Sequence, residues 1–166
     1  MPASASPEQT AKEQIGRLDL TLSRVIAVPP ALVWTVWTTP EHLMQWFCPR
    51  PWRTVECEMD LRPGGRFFAR MQGPNGEDMP MLGCFLEIVE GRRLVFTDAL
   101  HPEWRPATNP FFTAIVTIEP EGSGTRYTAI ARHKDDADRK KHEEMGFHEG
   151  WGTALDQLVE VAQGLM

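Results

Sequence analysis

Residues 136–166 read Asp136-Ala-Asp-Arg-Lys-Lys-His-Glu-Glu-Met-Gly-Phe-His-Glu-Gly-Trp-Gly-Thr-Ala-Leu-Asp-Gln-Leu-Val-Glu-Val-Ala-Gln-Gly-Leu-Met166, and no other stretch supports so long a helix. Met145, His148, Trp151, Leu155, Leu158, Ala162 and Leu165 recur at spacings of three and four, one face of an amphipathic helix. Asp135 and Asp136 are placed to cap its start, and Asp138 adds negative charge to the first turn. Gly146, Gly150 and Gly152 interrupt the pattern, each at a cost of about 1 kcal/mol relative to alanine. Two readings are open. Either the helix kinks, or breaks in two near Gly146, or the side chains are omitted because a sheet or ligand comes close. Such a helix is not stable alone, and its apolar stripe needs a sheet to lie on.

The preceding residues supply that sheet. Across residues 17–28 the chain alternates, with Leu18, Leu20, Leu22, Ile26 and Val28 on one face of a strand. Arg24 falls in phase with them and reads as a pocket cation or, more commonly for such a residue, as a side chain at a bulge or snorkelling out. Pro29-Pro30 opens a short helix, and Thr39-Pro40-Glu41 a second, with threonine as cap. Strands are then expected over 53–60, 66–72, 79–89, 94–99, 111–119 and 125–133. They are separated by turns at Arg62-Pro63-Gly64-Gly65, Gly73-Pro74-Asn75-Gly76, Gly91-Arg92 and Glu121-Gly122-Ser123-Gly124. Hairpin-length links imply an antiparallel sheet. Residues 100–110, rich in proline and carrying Trp104, break the pattern. Trp104 reads as a lid over a pocket or as a plug for the sheet edge.

Composition narrows the function. The 166 residues fit one domain at 17–166 behind a loose tail at 1–16, and 42% hydrophobic residues are enough for a core. Six tryptophans, eight phenylalanines and eight methionines are ample for a pliable apolar pocket as well. A net charge of −6 without a basic patch argues against nucleic acid. Cys48, Cys57 and Cys84 form no disulfide framework and fit a reducing cytoplasm. No apolar run reaches spanning length, so no membrane partner is expected. Metal-site spacing and nucleophile motifs are absent from the sequence, and no cofactor is expected.

Strand, two small helices, about six further strands and one long helix make an α+β order. It resembles the helix-grip fold of the START-like (SRPBCC) superfamily, a curved antiparallel sheet of six to seven strands wrapped around a C-terminal helix. The motifs are similar to one branch, the bacterial proteins resembling the C-terminal domain of the activator of the heat-shock protein ATPase. Val33-Trp34 with Thr38-Thr39-Pro40-Glu41-His42-Leu43 and Trp46 carry this likeness, as do Asp60-Leu61-Arg62-Pro63-Gly64-Gly65-Arg66-Phe67 and residues 83–87 with Leu94-Val95-Phe96. Glu119-Pro120, Gly124-Thr125 and Gly150-Trp151 complete it. The resemblance implies an apolar cavity between helix and sheet, a small apolar ligand, a chaperone as a further partner, and homodimers through sheet edges or helix faces.

Inward phases nominate the cavity walls: Trp37, Trp46, Met59, Phe68, Met81, Phe96, Trp104, Phe112, Met145 and Trp151. Each taken singly fits plain core as well; together they make an apolar ligand site. His133 and His148 are the nominated polar anchors, able to orient a ligand hydroxyl or carbonyl, or to act as a general base. Binding of a small apolar ligand is the primary expectation. A polyketide cyclase-like enzyme in the same cavity and a chaperone-regulating interaction module are the alternatives.

Overall fold

The computed structural model describes residues 14–166, so the expected tail lies outside the described residues except for 14–16. The elements in order are β1 (Asp19–Ile26), α1 (Pro30–Thr38), α2 (Pro40–Leu43), β2 (Arg53–Met59), β3 (Arg66–Gln72), β4 (Asp78–Val89) and β5 (Arg93–Thr97). A small hairpin of β6 (Leu100–His101) and β7 (Arg105–Pro106) follows, then β8 (Thr113–Glu121), β9 (Gly124–Arg132), α3 (Asp136–Glu144) and α4 (Phe147–Gly164). Seven strands form one sheet in the order β1-β9-β8-β5-β4-β3-β2, with every neighbour antiparallel. This is the α+β helix-grip arrangement.

Consecutive strands β1 and β2 occupy opposite edges of the sheet. The α1–α2 passage must therefore cross its whole width, and it packs between the sheet and α4. Val33, Val36, Trp37 and Leu43 from this passage join Phe67, Phe85, Phe96, Leu155 and Leu158 in the main core. Register shifts in β2 between Thr54 and Glu56, and in β4 between Phe85 and Glu87, mark bulges, which bend strands and increase their twist.

The last thirty residues form two helices, one of the two outcomes of the first reading. Asp135 caps α3, its carboxylate accepting the Asp138 backbone N–H at 2.8 Å. Gly146 then turns left-handed at φ 90° and starts α4, a conformation that costs a side-chain-bearing residue roughly 1–2 kcal/mol. Close approach of the sheet does not account for these glycines. A Cβ at Gly152 would meet nothing within 4 Å, and one at Gly150 only the Pro49 ring at 3.9 Å. Close approach operates at Gly65 instead, where a Cβ would fall 1.9 Å from the Asp60 carbonyl oxygen. Thr39 stands at the α2 N-cap, but its side chain makes no capping bond.

Arg24 leaves the apolar face and reaches α4, donating to the Asp156 carboxylate at 2.9 Å and the Gly152 carbonyl at 3.0 Å. It pairs with a neighbouring acidic residue and does not border the cavity described below. A stronger tie is Gln157 on α4, which is buried. Its Nε2 donates to the carbonyls of Trp46 (3.2 Å) and Cys48 (2.8 Å), while its Oε1 accepts the Arg50 N–H at 3.0 Å. One side chain thus satisfies three backbone groups of the irregular segment between α2 and β2.

Three substitutions test these contacts and conformations. Gln157→Leu keeps the shape but orphans two carbonyls and an N–H, and urea denaturation should show a loss of about 2–4 kcal/mol. Gly152→Ala should gain about 0.5–1 kcal/mol, since the site is helical and open. Gly146→Ala should lose about 1–2 kcal/mol at its left-handed φ.

Candidate functional site

A cavity of about 770 Å³ lies between the sheet, the α1–α2 passage and α4. Its inner wall is aromatic. Trp37 meets Trp46 at 5.2 Å between ring centroids and Phe96 at 5.8 Å, and Phe96 meets Phe112 at 6.2 Å. Trp151 closes the α4 side, 5.8 Å from Phe112. Met79 and Met145 also line the cavity and are 49% and 61% exposed, so the cavity opens to solvent at that end.

Of the nominated walls, Trp37, Trp46, Met81, Phe96, Phe112, Met145 and Trp151 line this space. Met59, Phe68 and Trp104 do not. Met59 is half-buried and packs against the core beside the cavity. Phe68 points to the opposite face, where the Arg66 guanidinium lies 5.1 Å over its ring. Phe67 takes the buried place, stacked on Phe85 at 5.0 Å. Arg66 and Arg70 share the alternation phase of Phe68 and mark it as the outer one, a signal present in the sequence. Trp104 is 48% exposed and covers Gly64: a Cβ there would stand 2.9 Å from the indole. Glu103 and Trp104 adopt left-handed backbone (φ 63° and 65°). The Glu103 N–H donates to the Gly64 carbonyl at 2.8 Å, and its carboxylate pairs with Arg62. The 100–110 segment is thus tied down at Trp104, while its Ala107, Thr108 and Asn109 reach the cavity.

The two nominated anchors are placed differently. His148 is exposed on the outer side of α4 and does not border the cavity; the larger apolar Phe147 takes the inward position. His133 is buried just behind the wall. Its Nδ1 lies 2.9 Å from the Leu18 carbonyl and its Nε2 2.8 Å from Nδ1 of His142. His142, on α3, is the histidine that lines the cavity together with His101. Phe111, Phe112, Phe147 and Trp151 surround its ring at centroid distances of 5.0, 5.3, 5.2 and 5.8 Å.

Among the lining residues that escaped the sequence reading are His142, Phe147, Trp52 and Tyr127. Tyr127 is buried on β9, and its oxygen accepts the Trp37 indole N–H at 2.9 Å. Burial pushes its phenol up to about 12, so it keeps its proton near neutral pH. The Tyr127 O–H has no acceptor among the described residues and is a donor available to the cavity. Asp98 is committed to structure, accepting the N–H groups of Phe111 (2.8 Å) and Phe112 (3.1 Å). Among the described residues no group of three or more His, Cys, Asp or Glu side chains is placed to hold a metal ion. No helix among them is long and apolar enough to cross a membrane.

Burial, and secondarily the neighbouring His133, push the His142 imidazole down from 6.5 to about 4. Unfolded, the same ring takes up its proton near 6.5, so between the two values the unfolded chain binds more protons. This contribution is complete above pH 6.5 and is lost as the pH falls toward about 4. Urea denaturation across that window should show stability dropping by up to about 1.4 kcal/mol per pH unit from this group. His142→Phe should flatten the profile.

Comparison with known proteins places this geometry in a family. The family described as "Activator of Hsp90 ATPase homolog 1-like protein" matches residues 27–163. A crystal structure of a Nitrosomonas europaea protein is 50% identical, covering 90% of this chain and 97% of that one, with a TM-score of 0.88. A Mycobacterium smegmatis crystal structure is 26% identical over 87% of this chain and 90% of that one, with a TM-score of 0.74. An Arthrobacter aurescens solution structure is 25% identical over 92% and 90% of the two chains, with a TM-score of 0.77. Curated proteins give no match. With the match running from just after β1 through the Gly64-Gly65 turn, strands β2 to β9 and almost all of α4, this chain belongs to the Activator of Hsp90 ATPase homolog 1-like family.

Proposed function

We propose that this protein binds a small, mostly apolar molecule in the cavity between α4 and the sheet. The observation that carries the reading is the cavity itself: about 770 Å³, within the range of roughly 300–1,000 Å³ typical of ligand sites. Its walls are tryptophan, phenylalanine, methionine and leucine, with few polar groups, which is the composition such sites have. A void of this size and an open mouth would be costly to keep in a domain selected only for packing. The methionines at the mouth offer adaptable apolar contact to ligands of varied outline.

Native mass spectrometry of freshly purified protein, followed by a thermal-shift screen of lipids, aromatic acids and polyketide-like compounds, tests this. A ligand at one hundred times its Kd stabilises by about 2.7 kcal/mol, a rise in Tm of roughly 5–10 °C for a domain this size. Ala154 lines the cavity from α4, so Ala154→Phe should fill the space and abolish the shift while the protein stays folded. A clean apo spectrum with no stabilising compound overturns the reading. The family description would then direct the next assay to stimulation of a chaperone ATPase.

A further inference from the structure

The His133–His142 pair has an internal direction. The Leu18 carbonyl can only accept, so the His133 Nδ1 that faces it at 2.9 Å carries the proton. In neutral His133 the Nε2 is then bare and can only accept. His142 Nδ1, 2.8 Å away, must therefore be the N–H donor. That leaves His142 Nε2 as a bare acceptor on the opposite edge of the ring. The ring is 6% exposed and lines the cavity, yet Nε2 has no hydrogen-bond partner among the described residues. No group among the described residues satisfies that acceptor, so it is free to take a hydrogen bond from whatever occupies the cavity.

We infer that His142, oriented by His133, is the polar anchor of the cavity, and that its Nε2 accepts a hydrogen bond from the hydroxyl of a neutral, mostly aromatic ligand. This rests on the ligand-binding reading and adds the chemistry of the ligand. The hydroxyl is required because the tautomer leaves an acceptor and not a donor. Neutrality follows from the surroundings: four aromatic rings enclose the imidazole, and such walls favour an uncharged, flat body. The Lys141 ammonium lies over the outer Phe111 ring at 5.5 Å, where it serves that ring. His133 is a positioning residue, which holds the tautomer and touches no ligand.

The test uses para-propylphenol and its methyl ether para-propylanisole, which share a body and differ in the donor. Binding to the full chain is measured by calorimetry and by the nitrogen-15 NMR signals of the histidine rings. The phenol should bind about 2- to 10-fold tighter than the ether, the size of one net hydrogen bond. The bare Nε2 signal of His142 should move with the phenol and stay with the ether. In His142→Phe, which keeps an aromatic ring in place, the preference should vanish. Equal binding of phenol and ether by the wild-type chain overturns the assignment and leaves the cavity reading standing. A preference that survives in His142→Phe also overturns it, because the donor then lands elsewhere. If neither compound binds, the assignment falls, and the broader screen above decides whether the cavity reading falls with it. Should His142→Phe fail to fold, the NMR response of the wild-type chain decides.

Discussion

The Gln157 side chain sets the constraint from which the cavity is built. Between α2 and β2 the chain runs without regular structure through Trp46, Phe47, Cys48 and Pro49, all of which border the cavity. Backbone of this kind has no ladder to satisfy its polar groups, and burying it unpaired is costly. Gln157 meets that need from α4 with both ends of its amide. Position on α4 and position of the irregular wall thereby become one variable. Trp46 adds a second lock, its indole N–H donating to the Val36 carbonyl at 3.0 Å. The wall can stand off from the sheet because it is held from the helix side.

The break at Gly146 performs a complementary task at the other end. A continuous helix would carry the residues before Gly146 along the α4 axis. The left-handed turn redirects the chain instead, so that α3 brings His142 against His133 and the Phe111–Phe112 pair. Phe147, immediately after the turn, is wholly buried against Leu20 and Ala131 in a satellite core of its own. A small apolar cluster thus fixes where the two helices part, and the histidine pair sits directly beside it.

Much of the fold was legible in the sequence because alternation and turn chemistry agree along most of the chain. The β3 span of 66–72 matches its expected bounds, and the other long strands differ by a residue or two. The site was legible only in part, for identifiable reasons. Adjacent Phe67 and Phe68 satisfy the same hydrophobic pattern in opposite phases, and only the flanking arginines separate them. His148 and Phe147 stand three and four residues before Trp151, so helical spacing admits both, and burial selects the phenylalanine. His142 had no periodic signature, because its inward position belongs to α3 and not to the stripe of α4. Trp104 carried the strongest aromatic signal in its loop, yet the vacant side of Gly64 gave it a different seat. Tyr127 was invisible in this role, since alternation on β9 marks it as core and says nothing of an unused hydroxyl proton.

The placement of β1 beside β9 has a consequence for how the protein is made. Every residue of β1 from Asp19 to Ile26 finds its partner between Thr125 and Arg132, 99 to 113 positions later in synthesis. Until β9 has emerged from the ribosome, β1 is an unpaired strand carrying Leu20, Leu22 and Ile26, and α1 lacks part of the sheet it rests on. The hairpins from β2 to β5 are local and can form as they appear, but they leave one apolar face uncovered until α4 follows. A nascent chain therefore carries an open, sticky half-sheet until α4 has emerged, and the pocket comes into being only then. Domains that close this late spend their birth within reach of whatever else in the cell binds exposed apolar surface.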